Sequence, residues 1–100
     1  MSDLYIIQAH TTGAIKIGRS KHVHKRLSQL QTGCPYRLRL IIHIPGQGDL
    51  EKGLHRRLSD HRIRRFKGEW FHEEGLAELP TWIYEMLNLE EQDWWRVRTF

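Results

Sequence analysis

The sequence has little cysteine and no long apolar run, and each shortage excludes a class of protein. Its 100 residues hold one cysteine, Cys34, so an internal disulfide framework is excluded and a reducing, cytoplasmic setting is expected. No apolar stretch has the length of a transmembrane helix, and the opening Met-Ser-Asp does not resemble a secretory signal. We therefore expect no membrane partner. Because no second ligand pair accompanies His22 and His24, structural zinc is not expected either.

Basic residues outnumber acidic ones, and the two kinds are separated along the chain. The chain has sixteen Lys and Arg and twelve Asp and Glu, which gives a formal net charge of +4 and a pI near 9.6. Residues 69–93 reverse the balance, with eight acids and no Lys or Arg. This asymmetry indicates a polyanionic partner on one face, although a solvated basic face is the common alternative. The candidate phosphate contacts are Arg19, Lys21, Lys25, Arg56, Arg62, Arg64, Arg65 and Lys67.

The apolar pattern predicts one small α+β domain. Alternation predicts strands over 4–9, 14–17 and 37–44, the last with Leu38, Leu40, Ile42 and Ile44 on one buried face. Helices are predicted over 21–31 after Ser20, over 50–62 after Asp49, and over 80–91 from Pro80. The order β-β-α-β-α-(β)-α gives a mainly antiparallel, three-stranded sheet flanked by helices.

Four polar side chains are expected near this sheet. Tyr5 lies on the first strand, Lys16 on its hairpin partner, and Arg26 and Glu51 each lie beside the apolar stripe of a helix. Arginine can neutralise developing charge on a phosphate, a carboxylate can hold Mg²⁺, and a tyrosine can manage a proton. The set is plausible for phosphodiester cleavage. Each member also has a structural reading: Tyr5 as a sheet tyrosine, Arg26 and Glu51 as solvated helix residues.

Five separated motifs resemble the GIY-YIG endonuclease superfamily, in its branch of short phage, bacterial and fungal proteins. Asp3-Leu4-Tyr5 and Lys16-Ile17-Gly18 stand where that family has Gly-Ile-Tyr and Tyr-Ile-Gly. The remaining three are Lys25-Arg26-Leu27, Glu51 with His55 one turn later, and Gly68-Glu69-Trp70-Phe71. The resemblance implies a nuclease domain over residues 1–79, with residues 80–100 forming a helix and an aromatic, basic tail packed on it.

By this resemblance the protein is a metal-dependent endonuclease or nickase acting on DNA, with RNA left open, and its cofactor is Mg²⁺ or Mn²⁺. Tyr5 would handle the proton, Arg26 would stabilise the phosphate, and Glu51 would bind the metal. His55, Glu69 and Gly18 would support the site, with Trp70 and Phe71 in the core.

Lys16 departs from the family pattern, which has a tyrosine at that place. An ammonium can bind a phosphate oxygen or favour the phenolate of Tyr5, but it cannot act as a second phenol. Two other functions therefore stay open. One is a nucleic-acid-binding module without hydrolysis, and the other is a phage or bacterial protein-interaction module. Trp94 and Trp95 are expected to pack on the last helix, with partner docking or base stacking as alternatives.

Overall fold

The computed structural model describes residues 1–63, 69–87 and 98–99, the last two by their backbone alone. The chain alternates strands and helices in the predicted order, which confirms the α+β class. Two short 3₁₀ turns lie at Ser59–His61 and Glu73–Ala77. The strands are β1 (Asp3–Ala9), β2 (Ile15–Ser20), β3 (Leu38–Ile44), β4 (Trp70–Phe71) and β5 (Arg98–Thr99), and the helices are α1 (Val23–Thr32), α2 (Leu50–Arg57) and α3 (Leu79–Leu87).

The strands form one antiparallel sheet in the order β4-β2-β1-β3-β5. The three long central strands are those that the alternation predicts. The prediction of three strands was wrong in number, because β4 and β5 add a two-residue strand at each edge. A two-residue strand is too short to show a period of two, so the pattern gave β4 only weak support and β5 none.

Helices cover both faces of the sheet. On β1, Leu4 and Ile6 face a core shared with Leu54 of α2 and Ile83 of α3, which defines the α2–α3 face. The alternate residues Tyr5, Ile7 and Ala9 face Val23 of α1, and their side defines the α1 face. This opposition follows from the pleat, which sends successive side chains to opposite sides.

The predicted single buried face of β3 was wrong. Leu38 and Leu40 join the α1 face, whereas Ile42 and Ile44 join the α2–α3 face. The pairing of β1 with β3 shifts register between Ile6 and Ile7, and such an irregularity changes the face to which later residues point.

Two helix boundaries differ from those predicted. β2 runs on to Ser20, so Ser20 ends a strand, and its Oγ accepts a hydrogen bond from the His22 N–H at 3.0 Å. Helix α1 therefore begins at Val23. Helix α2 ends at Arg57, short of residue 62, and Asp49 at its start makes no side-chain cap hydrogen bond.

Helix α3 packs on α2. Leu79 and Ile83 are fully buried in the same core as Leu54 and Leu58, and each such side chain contributes about 1.5–3 kcal/mol by leaving water. Residues 88–91 of the predicted third helix lie outside the described residues, as do Trp94 and Trp95. Within the described ranges no helix is long and apolar enough to cross a membrane.

Asp3 connects the start of β1 to the end of β3. Its Oδ1 accepts the Gly46 N–H at 2.8 Å, and its Oδ2 lies 2.9 Å from Nε2 of His43. The Gly46 hydrogen bond, followed by the one from His43, lowers the pKa of Asp3 below its ordinary value. The ionised carboxylate therefore stabilises the fold.

We predict that Asp3→Asn lowers the free energy of unfolding by about 1 kcal/mol near neutral pH, because an amide accepts weaker hydrogen bonds than a carboxylate. Since the pKa is lowered in the folded state, this stabilisation exists above the unfolded-state pKa and is lost as the pH falls through the folded-state pKa. Urea unfolding near neutral pH and at a pH below the folded-state pKa of Asp3 measures this stabilisation. Asp60→Asn, at an exposed position, is the control, and an equal loss in both variants contradicts the prediction.

Candidate functional site

The edge of β2 is only partly covered by a strand. Strand β4 pairs with Ile15 and Lys16 alone. From Ile17 onward, the edge of β2 that faces away from β1 has no strand beside it among the described residues. Helix α2 supplies the missing partner, because Nε2–H of His55 donates a hydrogen bond to the Ile17 carbonyl at 2.8 Å. A backbone carbonyl at a half-covered edge needs such a donor.

His55 is held on its other sides as well. Its Nδ1 hydrogen-bonds the carboxylate of Glu69, and its ring meets Phe71 edge-on with centroids 5.3 Å apart. Both ring nitrogens are therefore engaged within the protein. His55 fixes α2 and the residue before β4 against the sheet edge, and neither nitrogen is left for a metal.

Tyr5 and Gly18 pair directly across β1 and β2. The Tyr5 ring lies over Gly18 so closely that a Cβ at Gly18 would overlap the ring and its hydroxyl. The ring is buried, at 3% exposure, yet its hydroxyl has no hydrogen-bond partner among the described residues. No buried polar side-chain atom is left unsatisfied in that part of the chain, so the hydroxyl keeps some contact with solvent.

Lys16 lies on the same face of β2 as Gly18, about 7 Å along the strand. It pairs with Trp70 of β4, and its Nζ lies 5.6 Å from the centroid of the Trp70 ring. Burial, and then the positive charge of Arg26, lower the pKa of Lys16, while the charges of Glu69 and Glu51 raise it; the net shift is downward. These four charged groups therefore lie within electrostatic reach of one another.

Glu51 extends from the first turn of α2 toward the same edge. It is 28% exposed, with Oε1 4.0 Å from Nε2 of His55 and Oε2 4.0 Å from Nε of Arg19. Across the described ranges no group of three or more His, Cys, Asp or Glu side chains is placed to hold a metal. The single carboxylate of Glu51 could hold only a hard cation that keeps most of its waters, as Mg²⁺ does, and cannot form a zinc cage.

Tyr5, Lys16, Arg26, Glu51, His55 and Glu69 will be called the edge site. The first three approach from the α1 face and the last three from α2 and the residue before β4. Arg26 is exposed on α1, where the sequence placed it at the rim of the core. No observation assigns these residues a role, so their roles stay predictions.

The predicted phosphate contacts divide into three groups. Lys21, Lys25, Arg56 and Arg62 are exposed. Arg19 instead donates to the Asp49 carboxylate at 3.4 Å. Arg64, Arg65 and Lys67, together with Gly68 of the late motif, lie outside the described residues.

Two features of the site were not predicted from the sequence. Trp70 was expected in the core, but it also lies beneath the Lys16 ammonium. The Ile17 carbonyl holds His55, a backbone role with no sequence signal. The pairing of β4 with residues 15–16 brings Lys16 and Trp70 together. The alternation of apolar residues does not predict that pairing.

The fold and the site define a small α+β domain that carries a mixed cationic and acidic cluster at a half-open sheet edge. The model of the T5orf172 domain family matches residues 4–89. The chain belongs to the T5orf172 domain family. No curated protein and no solved structure gave a match.

The resemblance to the GIY-YIG endonuclease superfamily was therefore wrong as an assignment of family. The matching model is that of the T5orf172 domain, over nearly the whole chain, and not that of a GIY-YIG family. The short motifs at residues 3–5 and 16–18 are alternating strand residues, the second ending in a glycine, a pattern that many hairpins share. The roles of Tyr5, Lys16, Arg26 and Glu51 now depend on geometry alone.

We predict that Gly18→Ala lowers the free energy of unfolding by about 1–3 kcal/mol, because the added methyl group overlaps the Tyr5 ring. Gly33→Ala is the matched control, since a Cβ there meets nothing within 4 Å, and we expect a change within about 0.5 kcal/mol. Urea unfolding of the two variants measures the difference. Equal stability of both would show that Tyr5 does not need the glycine.

Proposed function

We propose that this domain binds DNA and hydrolyses its phosphodiester bonds with a divalent cation, Mg²⁺ or Mn²⁺. The observation that carries the proposal is the hydroxyl of Tyr5, which has a buried ring and no intramolecular partner among the described residues. A hydroxyl without a partner in the protein is free to hydrogen-bond a water or a substrate oxygen. Here the hydroxyl lies over Gly18, two residues along β2 from Lys16.

Charge on the α1 side supports a nucleic-acid partner. Residues 4–48, which form β2, α1, β3 and all of β1 except Asp3, contain no Asp or Glu. Lys21, Lys25 and Arg26 are exposed there, and none of them joins an ion pair with another described residue. Such a cationic surface attracts the phosphate backbone with little dependence on sequence.

Glu51 is the residue proposed to hold the cation. Its carboxylate is half-buried at the sheet edge, while the nitrogens of His55 are engaged with Ile17 and Glu69. A bound Mg²⁺ would supply charge neutralisation to the phosphate oxygens. With one protein carboxylate available, the remaining ligands would be water and the substrate phosphate, as this ion accepts.

The other edge-site residues are proposed to act on the phosphate and on the proton. Lys16 and Arg26 approach from the α1 face and would bind the non-bridging oxygens as negative charge develops there. Tyr5 would hold or accept the proton of the attacking water through its hydroxyl. His55 and Glu69 would keep α2, and with it Glu51, in place.

A DNA-binding module without hydrolysis is the second candidate. It is favoured by the lack of a three-ligand metal cluster within the part of the chain that the structure describes. The charge on the α1 side supports both functions equally, so only cleavage assays separate them.

We predict nicking of supercoiled plasmid with Mg²⁺ or Mn²⁺, abolished by chelation. Glu51→Gln and Arg26→Ala should each lower the rate by about 100-fold or more, because each removes a charge that stabilises the transition state. Agarose gels with quantified relaxed circles measure the rates.

Two exposed positions away from the site give matched controls. Glu78→Gln and Arg37→Ala remove one charge of each sign and should leave the rate unchanged. Gel shifts without nicking under either metal would favour the binding module. If the nicking rate fell equally in the edge-site variants and in the control variants, cleavage would depend on net charge and not on the edge site.

We predict that Lys21→Ala with Lys25→Ala weakens DNA binding and lowers the slope of log affinity against log salt by about two, or about one for each phosphate contact. Fluorescence anisotropy over a salt series measures the slope. Lys52→Ala removes an exposed lysine of α2, on the other side of the sheet, and should leave the slope as it is. An equal change of the slope in Lys52→Ala would show that the DNA does not bind on the α1 side.

A further inference from the structure

Trp70 has a fixed place beside Lys16. The two residues pair directly between β4 and β2, and on the other side of β4 the Trp70 carbonyl accepts the Ile63 N–H at 2.8 Å. The indole ring is partly buried and packs against the core of the α1 face. Because backbone partners lie on both sides of Trp70, its ring has a defined position at the sheet edge.

The Lys16 ammonium lies over that ring, with Nζ 5.6 Å from the ring centroid. Within about 6 Å, the negative face of an indole attracts a cation. Lys16 forms no ion pair with any described residue. The indole of Trp70 is therefore the compensating group that the structure places against this cation.

The other surroundings of Lys16 work, on balance, against its charge. Burial, and then the positive charge of Arg26 on α1, lower its pKa, and the carboxylates of Glu69 before β4 and Glu51 on α2 offset only part of this. Tyr5 lies on the same face of the sheet, opposite Gly18. An ammonium that has lost part of its water and has no carboxylate in contact needs another source of stabilisation.

We propose that Trp70 is a positioning residue for Lys16: its ring holds the ammonium, in the charged form, at the sheet edge where a phosphate oxygen would bind. The phosphate contact rests on the function proposed above, whereas the contact between ring and ammonium belongs to the free protein. A cation–π contact suits this task, because it leaves the N–H groups on the far side of the ammonium free for an incoming oxygen. A carboxylate in the same place would occupy those donors and repel the phosphate.

The second cation–π contact among the described residues has a different setting. The Arg57 guanidinium lies 5.9 Å from the centroid of the Trp82 ring, but it also donates a hydrogen bond to Glu85 at 3.0 Å. A carboxylate therefore compensates this cation, and a guanidinium does not lose its proton in a protein. Trp82 is accordingly a matched control for Trp70.

Fluorinated tryptophan in place of Trp70 tests the proposal. Fluorine withdraws electron density from the ring face but nearly keeps the shape and apolar character of the indole, so the burial of Lys16 stays the same. The full chain is made with mono-, di- or trifluorotryptophan at this one position, and NMR follows the titration of the Lys16 side chain. We expect the titration midpoint to fall with each added fluorine, by about 0.5 on the pH scale or more in total.

The same fluorinated residues in place of Trp82 should leave the Lys16 midpoint unchanged. Lys16→Arg removes one lysine signal and so identifies the resonance. In the native chain, the protons next to Nζ should also show the upfield shift that an aromatic ring face causes. A constant midpoint through the Trp70 series, an equal fall in the Trp82 series, or the absence of the upfield shift would overturn the proposal.

DNA binding tests the phosphate contact. Anisotropy with a duplex should show an affinity lowered by up to about threefold at a pH above the Lys16 midpoint, the ratio of charged fractions for a fall of about 0.5, and no change near neutral pH. A lowered midpoint with unchanged binding at high pH would overturn the phosphate contact of Lys16.

The titration needs no DNA, so it separates this proposal from the proposed function. A constant midpoint in a chain that binds and nicks DNA overturns the role of Trp70 alone. A falling midpoint in a chain that does not bind DNA supports the hold of Trp70 on the ammonium and removes the proposed function.

Discussion

The arrangement at the edge of β2 depends on one hydrogen bond, from His55 Nε2 to the carbonyl of Ile17. Strand β4 stops at Lys16, and a backbone carbonyl left beside no strand needs a donor. Once α2 supplies it, the helical period brings Glu51, four residues earlier, to the same edge. Glu69 is drawn in through the second ring nitrogen. The acidic half of the edge site is thus a consequence of incomplete strand pairing.

The cationic half depends on a close approach on the other face. Because Gly18 has no side chain, the Tyr5 ring and its hydroxyl can lie directly over it. Lys16, next along that face, lies over Trp70 instead of over an aliphatic neighbour. At the edge of the sheet no further strand separates its two faces. Charged groups from α1 and α2, on opposite faces, can therefore interact there. That is why the charge of Glu51 reaches Lys16.

The sequence predicted the parts of the fold that local patterns encode and missed those that register decides. Long alternating strands and apolar helix stripes gave the α+β class and the three central strands. The shift between Ile6 and Ile7, which divides β3 between two cores, leaves no trace in the residues themselves. Likewise Ser20 reads as a helix cap, yet the pairing of Ser20 with Asp3 keeps it in β2. The chemistry of the side chains was enough to name candidate site residues, but the sequence did not show which residues they contact in the fold.

Formal charge overstates the cationic surface that a polyanion meets. Arg57 is held by Glu85 at 3.0 Å and by the Trp82 ring, and Arg19 by Asp49, so both cations are already compensated. Most of the cations that stay uncompensated in the described part belong to residues 4–48, the stretch of chain without acids, whereas residues 69–93 carry eight acids and repel phosphate. A nucleic acid approaching from α1 therefore reaches Arg26 and Lys16 before Glu51. In the proposed function, a phosphate would thus meet cations first and the carboxylates only at the sheet edge.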